Sequence, residues 1–459
     1  MVRLLTALFA LLLPAAVASA TPDALSDVAR HTTPDGHAFW HVPMADAKRT
    51  AIAMRWRSGL PSGEGRHEAT ARLGIALMQS GGAGGLPSDE LAAELEDLDS
   101  ASRLWVRPGE INGFLLVPGQ HLTRAAEIAN LVLARPDLSD RWLEREKRDL
   151  IRNTQLRGET AVGRAWALAR AIMLEDHPFS RFWSAAPTED VGAVDATAVA
   201  DWHRNAFATV DMTITAAGPD APEAVARAID SALAGLPDAA ESGPLAFDGP
   251  DVKPGTIVLH DPESPKSVIM AFGALPPAAA QDDVVLGTAT AVLGLGKQSR
   301  LFTAIRSQLR AAYRFGAGIE ALTREHRMLR MGGEVETALL PQALETMRDT
   351  YETFRRDGVG EAEFAAARDA RRQRIEDRLE KPGGAASLLM RNRLSGQPVE
   401  DFERLAARLD DIDNDAVNAT ISTTYPRYED LLTLIVTPDA DAVEGACVIT
   451  AIAEWRNCF

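Results

Sequence analysis

The sequence predicts an α+β fold built from two homologous halves, each a mostly antiparallel sheet covered by helices on one side. Three observations carry this: a constant internal offset, period-two apolar runs arranged as hairpins, and a structureless segment near the middle.

Gly36, His41 and Pro43 in DGHAFWHVP recur 219 residues later as Gly255, His260 and Pro262 in PGTIVLHDP. Asp211, Pro219 and Asp220 recur with the same offset as Asp430, Pro438 and Asp439. Between these anchors, DATAV at Asp195 and DNDAV at Asp413 agree with a shift one residue smaller. A shared offset at both ends of two long segments marks a duplicated unit.

The elements follow in order. AFWHV and TAIAMRWRS alternate apolar and β-branched residues with polar ones, which is a strand pattern. Ser88, followed by Asp89 and Glu90, is expected to N-cap the helix SDELAAELEDL. SRLWVR and INGFLLV, joined at Pro108 and Gly109, read as a hairpin. Helices are expected from about 139 to 157, stopped by Gly158, and from about 160 to 174, the second followed by HPF (177–179) as the turn that stops it. The second half repeats the scheme: strands TIVLH and SVIMAFG, a helix from Asp282, a helix through 300–313, strands around YRFGAGIE and MLRMGGEVE, and helices near 340–379. GLPDAAESGPLAFDGPDVKPG (235–255) is rich in Gly, Pro and acids without periodicity and reads as an extended linker. The expected organisation is a leader at 1–20, a first α+β domain at 21–236, a linker at 237–254 and a second α+β domain at 255–459.

The leader MVRLLTALFALLLPAAVASA has one cation at Arg3, an apolar run from Leu4 to Leu13, and small residues at Ala18 and Ala20. It predicts a cleavable secretory signal, with no later stretch long enough to span a membrane. The expected location is therefore periplasmic or secreted. A formal net charge of -17 and a pI near 5.1 argue against nucleic-acid partners, since that affinity rests on cations neutralising phosphates. Cys447 and Cys458 are the only cysteines. In an oxidising compartment a disulfide between them is the favoured reading, with a metal or redox pair as the alternative.

Several chemistries fail on spacing. GLGK lacks the glycine of a Walker loop at Ala291 and its hydroxyl residue at Gln298. His67-Glu68 opens an H-E-x-x-H, but Ala71 stands where the second histidine is needed. His37 and His41 are four apart on a strand, spread over about 13 Å. No G-x-S-x-G elbow is present.

In the second half, GLGKQSRL and RSQLRAAY carry Ser299, Arg300, Leu301, Arg306 and Tyr313. With the exported two-half organisation, this resembles the pitrilysin and insulinase family of zinc metallopeptidases, and within it the two-subunit, mitochondrial-processing-peptidase-like branch. The likeness runs from about 30 to 440. In that family a catalytic chain carries H-x-x-E-H on a first-half helix. The corresponding stretch here is ARLGIALMQSGG, where Arg72, Ile75 and Ala76 occupy the histidine and glutamate positions. The distant glutamate ligand falls near Arg152 and Asn153.

The resemblance implies a non-catalytic subunit that binds no cofactor itself. Its partner would be a homologous chain carrying H-x-x-E-H, which supplies zinc and the general base for peptide cleavage. Arg306 and Tyr313 match the pair that such a subunit extends toward substrate. Seven residues apart, they are expected two turns along one helix face, about 10 Å from each other. Ser307, Arg310 and Ala311 depart from the family pattern. A plainer reading stands beside this one: Leu301, Phe302, Ile305 and Leu309 bury an ordinary amphipathic helix, Arg306 is solvated, and Tyr313 opens the next strand. At the level of the whole protein, the alternative is an inert structural or chaperone-like peptide clamp. A bilobal solute-binding protein would need doubly wound lobes, which the hairpins contradict.

Overall fold

The computed structural model describes residues 28–57, 66–107, 109–175, 177, 179–180, 187–238, 247–278, 282–323 and 325–459. The predicted leader, residues 239–246 of the predicted linker, and the prolines at 108 and 178 lie outside the described residues.

The chain runs β1 (Ala29–Thr32), β2 (Ala38–Pro43), β3 (Thr50–Arg57), α1 (Arg66–Ser80), α2 (Ser88–Asp97), β4 (Ala101–Arg107) and β5 (Glu110–Val117). It continues with α3 (Leu122–Ala134), α4 (Asp140–Gly158), α5 (Ala161–Met173), α6 (Thr188–Gly192), α7 (Ala196–Ala206), β6 (Thr213–Gly218) and α8 (Pro222–Leu233). The second half holds β7 (Gly255–His260), β8 (Ser267–Leu275), α9 (Asp283–Gly294), a π-helix (Phe302–Gln308), β9 (Phe315–Ala321) and β10 (Arg327–Val335). After them come α10 (Leu340–Asp357), α11 (Glu361–Leu379), α12 (Pro382–Leu394), α13 (Val399–Glu403), α14 (Asn414–Thr424), β11 (Leu432–Thr437) and β12 (Cys447–Ile449).

Two six-stranded sheets result, ordered β1-β2-β6-β3-β5-β4 and β12-β7-β11-β8-β10-β9. From the second strand onward the orders correspond position by position, so the offset seen in sequence is a duplicated topology. In both sheets one central pair is parallel, β2 with β6 and β7 with β11, and the three pairs beyond it are antiparallel. Only the outermost strands differ: β1 runs antiparallel to β2, whereas β12 runs parallel to β7. The shared aspartates do the same job twice. Asp195 accepts from Ala198 N and Asp413 from Ala416 N, each at 2.8 Å, capping α7 and α14.

Helix starts otherwise follow local chemistry. Thr160 accepts from Gly163 N at 3.0 Å and opens α5, and Asp282 accepts from Val284 N at 2.7 Å and opens α9. Ser88 departs from expectation. Pro87, fixed at φ -64°, takes the cap position, Ser88 becomes the first helical residue, and no side chain caps α2.

Both faces of each sheet are apolar, as alternate residues of β3 show. Ile52, Met54 and Trp56 pack on the helices of their own half, with Ala125, Ala126 and Ile229. Ala51 and Ala53 face the other way and meet Ala385, Ala386 and Leu389 of α12, a second-half helix. The exchange is reciprocal. Val268, Met270 and Phe272 of β8 meet Ala165, Leu168 and Ile172 of α5, a first-half helix. Small side chains on the first sheet let α12 come close, and Thr215 Oγ1 donates to Ala386 O at 2.9 Å in the buried seam. In the second, Trp166 meets Phe272 edge-on at 5.7 Å.

The tail is fastened by a disulfide between Cys447 and Cys458. Trp455 is buried against the α5 seam. Among the described residues, no helix is long and apolar enough to cross a membrane.

Candidate functional site

Three places bear on function: Arg72, Ile75 and Ala76 on α1, the glycine turn before the π-helix, and the Arg306–Tyr313 pair.

Helix α1 is enclosed. Ala69, Leu73 and Leu77 pack toward Leu143 of α4 and Val199 of α7, while Ile75 and Met78 enter the first-half core. Arg72 forms an ion pair with Glu68 one turn earlier, and the Glu68 carboxylate is almost wholly buried. Burial, and then the field of Arg157, holds the Arg72 guanidinium below the usual arginine range. Ser80 Oγ donates to Glu146 Oε1 at 2.7 Å, tying α1 to α4. Arg152 is exposed and paired with Asp149, and Asn153 is exposed beside it. A zinc ion needs lone-pair donors that converge. Arg72, Ile75 and Ala76 offer none, so these residues do not fit one. Among the described residues, no group of three His, Cys, Asp or Glu side chains is placed to hold a metal.

His41 illustrates the same closure. It lies buried on β2 with Nε2 lacking a hydrogen-bond partner among the described residues. Burial, with His31 adding to it and Asp220 opposing, pulls its pKa down to about 4.

The GLGK turn has a packing explanation. A Cβ on Gly294 would lie 1.9 Å from Ala317 N, so α9 can end against β9 only with glycine there. Gly296, at φ +102°, then reverses the chain. Ser299 Oγ donates to Gly296 O at 2.8 Å and closes the turn. Arg300 is structural too: its Nε and Nη2 donate to Glu363 at 2.8 and 2.6 Å, and Nη2 to Gly358 O at 2.8 Å. These bonds hold the Glu363 carboxyl below the usual range.

Arg306 sits in the π-helix and not in a regular α-helix. Leu309 N donates to Ala304 O at 3.0 Å and Ala311 N to Ile305 O at 3.1 Å, wider rings than an α-turn makes. Leu301 and Ile305 fill the core, while Phe302 and Leu309 are only partly buried. Arg310, at φ +57°, then ends the helix. Tyr313 therefore lies beyond the helix, just before β9, and the expectation of one shared helix face is corrected. The pair still meets. Arg306 Cζ lies 6.0 Å from the centre of the Tyr313 ring, at the limit of a cation–π contact. Tyr313 is 76 % exposed. Exposed phenol and half-buried guanidinium stand together at the start of β9, the last strand of its sheet. Such a pair can donate hydrogen bonds to a carbonyl or carboxylate; neither group activates water for hydrolysis.

Residues 193–371, less than half of the chain, match the family model described as the peptidase M16 inactive domain. A peptidase M16 inactive domain from Pseudomonas fluorescens has a similar fold, with TM-score 0.78 and 16 % identity over 90 % of this chain and 98 % of that one. A protease from Helicobacter pylori superposes with TM-score 0.76 and 14 % identity over 90 % of this chain and all of that one. The periplasmic protease PqqL from Escherichia coli superposes with TM-score 0.71 and 13 % identity over 94 % of this chain but only 50 % of that one. No curated protein matches in sequence.

Proposed function

We propose that this chain is the non-catalytic, substrate-contacting subunit of a two-chain zinc metallopeptidase of the pitrilysin family, in its mitochondrial-processing-peptidase-like branch, exported to the periplasm. The observation that carries the reading is the Arg306–Tyr313 pair with its exposed phenol, in a chain whose α1 carries an ion pair where ligands would stand. The inactive-domain match over 193–371 supports it. So does the overlap with one half of PqqL, since a second unit of this kind would complete such an assembly.

A homologous partner carrying H-x-x-E-H supplies zinc and the base. Peptide lies extended along the partner's sheet edge, held by main-chain hydrogen bonds that ask little of its sequence. Arg306 donates its fixed charge to a peptide carbonyl or terminal carboxylate, and the Tyr313 hydroxyl donates to a neighbouring carbonyl. These contacts orient the peptide and help exclude water. The alternative of an inert clamp makes the opposite forecast at the same two residues.

The test is co-expression with an exported homologue containing H-x-x-E-H, followed by zinc counting and peptide cleavage. One zinc per pair, with cleavage only by the pair, is the expected result. Chelator-sensitive cleavage by this chain alone would end the proposal.

A further inference from the structure

Between the first sheet and helices α2 and α3 lies a cavity of about 260 Å³. Its walls are mostly apolar: Met54 and Leu115 from the sheet, Leu91 and Leu95 from α2, Ile128 and Val132 from α3. Protein interiors leave few voids larger than a water molecule, so a cavity of this size beneath a helix is unusual. Gln79, Ser88, Ser102 and Arg103 line its polar parts, and Trp56 adds a buried polar atom. Trp56 is 1 % exposed, and its indole Nε1 is buried with no hydrogen-bond partner among the described residues. Buried donors are nearly always paired, so an unpaired one on a lining residue is unusual.

The outer wall is thin. Of the ten residues of α2, Leu91 alone is fully buried. The helix is entered through Gly84 and Gly85 at φ +62° and +89°, and it is left through Asp99 at φ +48°. Its outer face is held by Glu94, which accepts from Arg124 of α3 across an exposed surface. At the rim, Ser102 and Arg103 are exposed on the edge strand β4.

We propose that this cavity binds a compact apolar molecule carrying one hydrogen-bond acceptor, with α2 as its lid and the Trp56 indole N–H as its donor. An apolar cavity of about 150 Å³ holds benzene, which sets a scale of about 25 Å³ per non-hydrogen atom and a guest of about ten. A saturated eight-carbon chain with a terminal oxygen group has that size. This site is independent of the Arg306–Tyr313 pair and of the proposed partner.

The test uses the full-length protein, titrated by calorimetry with 1-octanol, octanoate and toluene. Saturable binding of one equivalent is expected, and a preference for octanoate over octanol would add Arg103 to the contacts. Ala129→Leu on α3 and Ala92→Phe on α2 each fill the cavity from a different wall; either one, with its melting temperature retained, is expected to abolish the titration. Trp56→Phe is expected to weaken octanol about three- to tenfold, the worth of one hydrogen bond, and to leave toluene unchanged. Absence of saturation with all three probes, or wild-type binding by a folded cavity-filled variant, overturns the proposal.

Discussion

Arg306 lies over the Tyr313 ring, with 6.0 Å between guanidinium carbon and ring centre, although the helix bearing the arginine has already ended at Gln308. The π-turn and the left-handed Arg310 together do what two regular turns would not. They set the two side chains side by side at the mouth of β9 instead of about 10 Å apart along one face.

Alanine at Arg306 or at Tyr313 is expected to lower kcat/KM of the reconstituted pair by tenfold or more, about 1.4 kcal/mol. The melting temperature of this chain should shift little, because Tyr313 is 76 % exposed. Steady-state kinetics and calorimetry on the same preparations check both, and unaltered cleavage by the double variant favours the inert clamp.

Neither half is expected to fold by itself. Residues 28–238 expressed alone would bare Ala51, Ala53 and Ala217, and residues 247–459 alone would bare Met270 and Phe272. Each fragment should bind a hydrophobic dye and aggregate, whereas the two co-expressed should associate. A fragment with a cooperative thermal transition would contradict the reciprocal seam.

Stability should fall on acidification between the free histidine value of about 6.5 and about 4. His41 is neutral and buried when folded, so the unfolded chain binds the proton more readily in this window. The contribution is fully present above pH 6.5, is lost as pH falls toward 4, and amounts to about 1–3 kcal/mol. Burial moves His203 in the same direction. Denaturant midpoints at pH 7, 5.5 and 4.5 should drop less steeply in His41→Gln than in the parent.

Reducing the disulfide, or the variant Cys447→Ser, should cost about 2–3 kcal/mol for closing a loop of 11 residues' separation. Loss of order is expected first at Trp455. Fluorescence-detected unfolding with and without reductant measures it.

Glu68→Ala should destabilise by about 1–3 kcal/mol, because it removes the buried carboxylate that pairs with Arg72 one turn away. Glu68→Leu combined with Arg72→Met should recover most of that loss. Chemical denaturation of the single and double variants decides between an ion pair that supports the helix and one that merely fills it.

Much of the architecture was readable from residues alone. The 219-residue offset became two sheets of matching strand order, and Asp195 and Asp413 became twin caps because a helix start is a local event. The helix exchange was not readable. The apolar positions of α5 and α12 announce burial, but nothing in them says which sheet they bury against. At the site, the identities of Arg306 and Tyr313 were legible and their geometry was not, since Gln308-Leu309-Arg310 contains no glycine to announce a left-handed stop. The Glu68–Arg72 pair was missed although its four-residue spacing was a usable signal.

The crossed seam also sets an order of events during synthesis. All strands of the first sheet have emerged once Gly218 is made, yet the helix that seals its far side ends at Leu394, about 180 residues later. At about 5–20 residues per second, that leaves an oily surface waiting roughly 10–35 s for its cover. A variant that shortens that wait is expected to give a higher yield of native molecules.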